Sequence, residues 1–565
     1  MHDPGNRIQA EPIHSLTGMR FIAALVVFFS HVRESLYVGI AAVAWGGPAV
    51  SYFFVLSGFI LTWVYDSRLQ QIGVRTFYLR RIARLWPLHL TCLFLCLWLT
   101  APLVWGDSAA ASSPASLLAQ VFLVQAWIPF NNWQYGFNSV SWSISTEMFF
   151  YLVFPLWLAL PRRWLPLGFL AALAVALAVL ALFARFLATG PPDSQWNWAA
   201  AAIVNPLVRL PEFVLGMLAC RWTFRPANPT SPGRPVRSAW RDTMLECLVV
   251  GLTLAAIVLL IASGIIERVY RLPGGAVWGN WLRVASGMGF FALVIAVFSV
   301  TRGGLSHLLG SRLMIWLGEI SYAFYLVHQI VIRYLDDRLL AGWQLIVSAL
   351  LISVLVSGLL FRVIEMPCKS AAALILAGKW RKAGKPLAAG WKFPLTRQGL
   401  FHSAALVLVV WVTLSIRPPL AGEKQVADII AATPPAVRNI EFRGEGVLLG
   451  FESIRQPGGR MLRLAWNLKP GFSRGRFVHI SDLEKRIISQ VPVRDFRAAG
   501  IPAGQPFVEE IWISNERIYR GYRIGIGFWS AARGTAPMVS PPQSAITGLG
   551  GNRLEVDTIK PRQWK

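Results

Sequence analysis

The sequence predicts an all-α polytopic membrane bundle, ten core helices plus an eleventh linking helix, followed by a small β-rich domain of β-sandwich type. Three observations predict it. Hydrophobic residues make up 55% of the 565 and charged residues only 15%, against roughly 25% charged in an average soluble domain. Apolar runs long enough to cross a bilayer fill most of residues 16–417,. Beyond 418 the pattern changes to short alternating runs broken by Gly and Pro,. A single soluble core cannot bury this much apolar surface, and the composition excludes disordered and fibrous architectures.

About 17–25 apolar residues cross a hydrocarbon layer of roughly 30 Å. Eleven such segments are expected, at about 16–36, 46–66, 85–104, 141–160, 165–187, 203–220, 244–264, 281–300, 314–332, 341–361 and 400–417. The stretch LLAQVFLVQAWI (117–128) is too short to span and is expected at the interface. No small-residue cleavage site follows the first segment, so it is expected to be a retained helix and not a signal peptide,.

The charges fix an orientation. Lys and Arg total 54 against 28 Asp and Glu, a formal charge of +26. With the N-terminus cytoplasmic, the inward loops collect most of the basic residues near the spans, among them Arg80, Arg81, Arg84, Arg162 and Arg221. The outward loops carry only Arg268, Arg271, Arg333 and Arg338. That asymmetry is the positive-inside bias, and it explains the basic character without nucleic acid. The five cysteines lie in or beside apolar runs and form no close CxxC pair, so neither a zinc cluster nor a disulfide framework is supported,.

The expected division is a transmembrane domain at 1–368, a basic cytoplasmic linker at 369–399, the eleventh helix at 400–417, a linker at 418–440 and an extracytoplasmic β-rich domain at 441–565. The runs GVLLGFESI, RMLRLAWNL, GRFVHIS and IYRGYRIGIGFW read as its strands,. The aromatics Trp512, Tyr519, Phe528 and Trp529 suit either stacking on sugar or a core,.

Ionisable residues inside spanning helices are costly and mark function. In the first helix Arg20 and His31 are eleven residues apart. At 100° per residue they face within about 20° of each other, separated by about 16 Å along the axis. The pair suits an anion holder near the cytoplasmic end and a base nearer the outside. It equally suits a snorkelling anchor and an interfacial histidine. Glu147, in SVSWSISTEMFFYLVFP, follows Trp142 and Ser143. A site for a hydroxylated acceptor and a capped helix entry are both open readings there. Arg80, Arg81 and Arg84 precede a helix expected to begin near Pro87, as a phosphate site or as an anchor,. Glu319 and His328 are half a turn apart and need not share a site, and His328 suits either a cavity wall or packing. Glu365 is expected to pair with Arg362 at i,i+3,.

The chain contains no GxxxxGK[ST], HExxH or GxSxG,. The GDS at 106–108 has no preceding strand and no later dyad at a workable spacing.

These segments resemble the acyltransferase 3 family of membrane O-acyltransferases that modify bacterial surface glycans. The resemblance spans about residues 14–370. It is carried by HSLTGMRFIAALVVFFSH (14–31), SYFFVLSGFILTW (51–63), FYLRRIARLWP (77–87), SWSISTEMFFYLVFP (141–155), LPEFVLGML (210–218), SYAFYLVHQ (321–329) and FRVIEMP (361–367). It implies acyl-coenzyme A, usually acetyl, as the cytoplasmic donor and no permanently bound cofactor or metal. The implied acceptor is a hydroxyl of a lipid-linked or surface glycan on the periplasmic side of a bacterial inner membrane. The resemblance gives His31, Glu147 and Arg20 catalytic roles. It gives Arg81, Arg84, Trp142 and Ser143 binding roles, and His328 is placed with them. Long members end in a hydrolase-like outer domain. This chain departs from them, and glycan binding or positioning is expected of its β-rich region instead. The competing readings are a transporter or flippase for a lipid-linked glycan and a sensory or scaffolding protein. The second leaves the Arg20–His31 pair without a task.

Overall fold

The computed structural model describes residues 12–32, 46–106, 114–130, 133–189, 197–224, 238–336 and 342–376, together with nine strands between 440 and 559 and a few residues of 427–433. The eleventh span expected at 400–417, Tyr519, and the side chains of Trp512, Phe528 and Trp529 lie outside the described residues.

Among the described residues ten helical segments are long and apolar enough to cross a membrane. In chain order they are His14–Val32, Gly46–Tyr65, Val74–Leu99, Ser139–Ala159, Arg162–Thr189, Trp198–Thr223, Ala239–Ala262, Gly275–Phe298, Arg312–Leu335 and Gln344–Leu376, the first to tenth spans. They match the ten segments expected up to residue 361. The stretch near 117–128 does not span. It forms a short helix, Pro114–Val121, and a single 3-10 turn, Gln125–Trp127. Trp86 Nε1 on the third span donates to the Val121 carbonyl at 2.8 Å.

Two expectations are corrected. The third helix begins at Val74, not near Pro87, and runs to Gly106. A proline removes one helical hydrogen bond. Here Leu85, Leu88 and Cys92 around it are buried in the core and hold the helix through. Arg81 and Arg84 thus share one helical face at i,i+3, and Arg80 is exposed,. The second correction concerns Glu365, which pairs with Lys369 at 2.5 Å and not with Arg362. The turn Phe361–Glu365 is a π-helix. Its wider winding alters the register, and Lys369 reaches back from the α-helix Met366–Leu376,.

Glycines let the spans that carry the site approach closely. A Cβ on Gly58 would lie 1.9 Å from the Phe213 carbonyl oxygen, and one on Gly216 would lie 1.9 Å from that of Val55. The second and sixth spans therefore cross backbone to backbone, as small residues permit in membranes. Gly318 meets the Thr17 carbonyl in the same way, at 2.0 Å, and presses the first span onto the ninth.

The C-terminal strands are β1 (Ile440–Phe442), β2 (Gly446–Gln456), β3 (Gly459–Leu468), β4 (Gly475–Asp482), β5 (Ile487–Arg494), β6 (Pro506–Ser514), β7 (Tyr522–Ser530), β8 (Gly534–Thr535) and β9 (Leu554–Ile559). They form two antiparallel sheets, ordered β1-β2-β3-β6 and β5-β4-β7-β8, with β9 paired to β7. The four expected runs are β2, β3, β4 and β7. Strand β5 contains Pro492 and lies at a sheet edge, where a missing N–H is tolerated,.

Candidate functional site

Two cavities sit within the bundle and share Val50 and Tyr325 in their walls. The first has a volume of about 270 Å³ and is lined by Arg20, Arg81, Arg84, Ser143 and Glu147 together with apolar and tyrosine side chains. Arg81 Nη2 donates to the Tyr65 hydroxyl at 3.1 Å and its guanidinium lies over the Tyr65 and Tyr151 rings. The Glu147 carboxylate accepts from Ser57 Oγ at 3.0 Å and from the Tyr151 hydroxyl at 2.6 Å. Arg20 and Arg84 lie in the electrostatic field of Glu147 and Glu365 but form no hydrogen bond or ion pair with another described residue.

That distinguishes them from anchoring arginines. Arg162 and Arg221 close on Asp66 at 2.7 and 2.8 Å, and Arg221 also donates to the Leu158 and Leu160 carbonyls. Such groups are satisfied by the protein. Arg20 and Arg84 hold their donors toward a cavity, which is the arrangement that binds an anion.

The second cavity, of about 250 Å³, is lined by His31, Ser30, Tyr135, Ser139, Trp142 and Arg283, with apolar residues between them. His31 Nδ1 lies 3.0 Å from His328 Nε2, and His328 Nδ1 lies 3.1 Å from the Phe324 carbonyl. The carbonyl can only accept, so His328 Nδ1 donates. In a neutral imidazole that leaves His328 Nε2 as an acceptor, and His31 Nδ1 is its donor. His31 Nε2 is then the ring nitrogen with a free lone pair. The relay resembles that of a serine hydrolase in form, with a neutral imidazole where a carboxylate would orient the base. His328 is fully buried and stacks on Phe324 with ring centroids 5.9 Å apart.

The segment before the fourth span is clamped to the ninth. Asn138 Nδ2 donates to the Leu326 carbonyl at 2.8 Å, Ser139 Oγ donates to Gln329, and Arg333 Nη1 donates to the Phe137 carbonyl at 2.7 Å. Phe137 itself has φ 54°, a conformation that costs a non-glycine residue of order 1–3 kcal/mol and needs surrounding support. This segment presents Tyr135. Burial pushes the Tyr135 hydroxyl up to about 12, against the pull of Arg283 and Arg209, so it is a proton donor at neutral pH.

The predicted residues thus separate into two groups. Arg20, Arg81, Arg84, Ser143 and Glu147 line the first cavity, whereas His31 and Trp142 line the second. Glu147 and His31, both given catalytic roles by the resemblance, line different cavities. Glu147 is five residues further along its helix than Trp142, about 7.5 Å deeper. His328 lines neither cavity and reaches the site only through His31. Glu319 is exposed and away from both.

Sequence reasoning missed Tyr135, Tyr325, Arg283 and the fully buried pair Arg209–Glu212, 2.8 Å apart. The last had a visible signal, two opposite charges three residues apart within an apolar span. Tyr325 accepts from Ser143 Oγ at 2.8 Å and donates to the Val140 carbonyl, standing between the cavities.

A family model described as an acyltransferase domain, of the acyltransferase 3 type, matches residues 13–362. The chain belongs to the acyltransferase 3 family. The match takes in both cavities and stops before the C-terminal sheets. The acyltransferase MdmB of Streptomyces mycarofaciens is 32% identical over 395 residues, covering 63% of this chain and 91% of that protein. The O-acetyltransferase OatA of Staphylococcus aureus (strain NCTC 8325 / PS 47) is 23% identical over 389 residues, covering 66% of this chain and 59% of OatA. Nodulation protein 10 of Rhizobium leguminosarum bv. viciae is 26% identical over 200 residues, covering 31% of this chain and 52% of its own length. The chain therefore spans little more than half of the last two relatives. No solved structure matches the chain. As an acyltransferase 3 protein it is a multi-pass membrane acyltransferase, and the transporter reading is set aside.

Proposed function

We propose that the chain transfers an acyl group, acetyl above all, from acyl-coenzyme A on the cytoplasmic side to a hydroxyl of a cell-surface or lipid-linked glycan on the periplasmic side. The observation that carries this reading is the pair of cavities meeting at Val50 and Tyr325, one lined by Arg20 and Arg84, which have no partner among the described residues, and the other by His31, whose Nε2 has no hydrogen bond to a described residue. Orientation is part of the proposal. The N-terminus is cytoplasmic in a bacterial inner membrane, and the arginine cavity opens on that side.

Arg84, Arg81 and Arg20 bind the coenzyme's phosphates, and the pantetheine arm extends toward Tyr325. Glu147, fixed by Ser57 and Tyr151, acts on Arg20 and Arg84 through its electrostatic field. The acceptor hydroxyl lies beside His31 against Trp142. Its oxygen attacks the thioester carbonyl carbon as His31 Nε2 takes its proton. The C–S bond then breaks, and the departing thiolate recovers the proton from His31. The thioester is already activated, so alignment and proton transfer are the main tasks. His328 accepts from His31 Nδ1 throughout, which keeps Nε2 as the working nitrogen.

We assign 1–368 to the transferase, with 369–399 cytoplasmic, 400–417 returning the chain across the membrane and 418–440 linking it to 441–565. The last region is a sandwich of the two sheets that binds or positions glycan outside the cytoplasm. The test is release of free thiol from acetyl-coenzyme A by the solubilised full-length protein with cell-envelope glycan as acceptor. Acceptor-dependent release that vanishes in His31→Ala is expected. Undiminished release by that variant contradicts the reading.

A further inference from the structure

We propose that the histidine cavity recognises an anionic group, a carboxylate or phosphate carried by the acceptor near the hydroxyl to be acylated, and that Arg283 is the residue that holds it. The inference rests on the acyl-transfer reading above and narrows its acceptor class.

Arg283 lies in Gly275–Ala285 of the eighth span, about 12 Å from the start of that span at 1.5 Å per residue,. Charge at such a position is costly and is normally paired within the protein. The buried arginines Arg209 and Arg221 obey that rule, whereas Arg283 is half-buried. Arg209 closes on Glu212 at 2.8 Å, and Arg221 on Asp66 at 2.8 Å. Arg283 has no hydrogen bond or ion pair with another described residue, and it lines the cavity.

Its surroundings add positive potential without cancelling it. Among the described lining residues of this cavity there is no Asp or Glu. Arg209 reaches the same Tyr135 that Arg283 faces, and Arg333 acts electrostatically on His31. Glu212 offsets Arg209 alone. Arg209 is fully buried, and its Nη1 and Nη2 have no hydrogen-bond partner among the described residues. Arg283 thus has no carboxylate beside it among the described lining residues of a cavity that contains the base. An uncharged sugar would leave it so, whereas one carrying an anion would complete it. Tyr135, Ser139 and Ser30 supply the neutral hydroxyl contacts a sugar requires.

The cavity fits a sugar carboxylate and a lipid-linked sugar phosphate alike, and two probes separate these sources. Binding of methyl glucuronoside, polyprenyl-phosphate glucose and methyl glucoside is measured on the full-length protein in lipid nanodiscs. The wild type is expected to bind at least one charged probe roughly ten- to a hundred-fold more tightly than the glucoside, the range of a hydrogen bond to a charged group. Preference for the glucuronoside assigns a sugar carboxylate, and preference for the phospholipid-linked sugar assigns a phosphate. Arg283→Gln is expected to erase the preference and Arg283→Lys to keep part of it. No preference in the wild type, or a preference that survives in Arg283→Gln, overturns the proposal. His31-dependent thiol release is read on the same wild-type preparation. Its absence would sink the acyl-transfer reading and leave the binding preference to be judged separately.

Discussion

The two cavities are built from the same helices and organised in opposite ways. The first, second, fourth and ninth spans contribute to both, and Val50 and Tyr325 belong to both walls. In the arginine cavity the charged groups are held apart, with Arg20 and Arg84 unpaired among the described residues and one carboxylate, Glu147, fixed by two hydroxyls. In the histidine cavity the reacting group is locked by a relay from Phe324 through His328 to His31. A site that binds a mobile anion needs unspent donors. A site that moves a proton needs one nitrogen in one tautomer. A single first helix supplies both because eleven residues bring Arg20 and His31 onto one face.

The difference is breakable by mutation. The largest effect is expected for His31→Ala, a loss of roughly 10²- to 10⁴-fold in acceptor-dependent thiol release, the range for a positioned base. Arg84→Gln comes next. A rise of roughly ten- to a hundred-fold in the KM for acetyl-coenzyme A, with kcat less affected, is expected from losing a charged hydrogen bond. For His328→Phe, the stacked ring beside Phe324 is retained, while the acceptor for His31 Nδ1 and the donor to the Phe324 carbonyl are lost. Steady-state kinetics should show kcat down by roughly ten-fold with the donor KM unchanged. His328→Gln, whose amide oxygen can accept, should recover part of the loss. A KM effect equal to the kcat effect would instead mark His328 as structural. The smallest change is expected for Arg80→Gln. That side chain is exposed beside the cavity-lining Arg81 and Arg84, and thiol release should stay within about two-fold of wild type. An effect as large as that of Arg84→Gln would mean that the arginines act as a diffuse patch and not through a defined cavity.

The fold was legible because lipid imposes length. Ten apolar runs became ten spans, with shifts of a few residues where caps and breaks intervene, as at Asn205, whose side chain accepts from Leu207 N. The third span begins at Val74, well before Pro87, because the burial around that proline outweighs one lost hydrogen bond that local sequence reads as a boundary,. Within the site, local spacing worked where both residues share a helix, as with Arg20 and His31. It failed for contacts that only packing creates. His31 and His328 are 297 residues apart in the chain. The sorting of Glu147 and His31 into different cavities depends on how deep each lies. An ionisable residue in a span is also no proof of chemistry. Glu246, in the seventh span, accepts from the backbone N–H groups of Gly303, Leu305 and Ser306 and from Ser306 Oγ. It anchors the turn before the ninth span. Among the strands, alternating apolar runs were visible in β2, β3, β4 and β7, whereas the internal proline of β5 hid an edge strand.

The most direct test of this division of labour is binding of labelled acetyl-coenzyme A to His31→Ala protein, measured beside its thiol release. Binding within about two-fold of wild type together with lost release is the predicted result. It would place donor capture and proton transfer in separate cavities. Loss of binding along with release in a correctly inserted His31→Ala protein would contradict the account, because the histidine would then belong to the donor site itself.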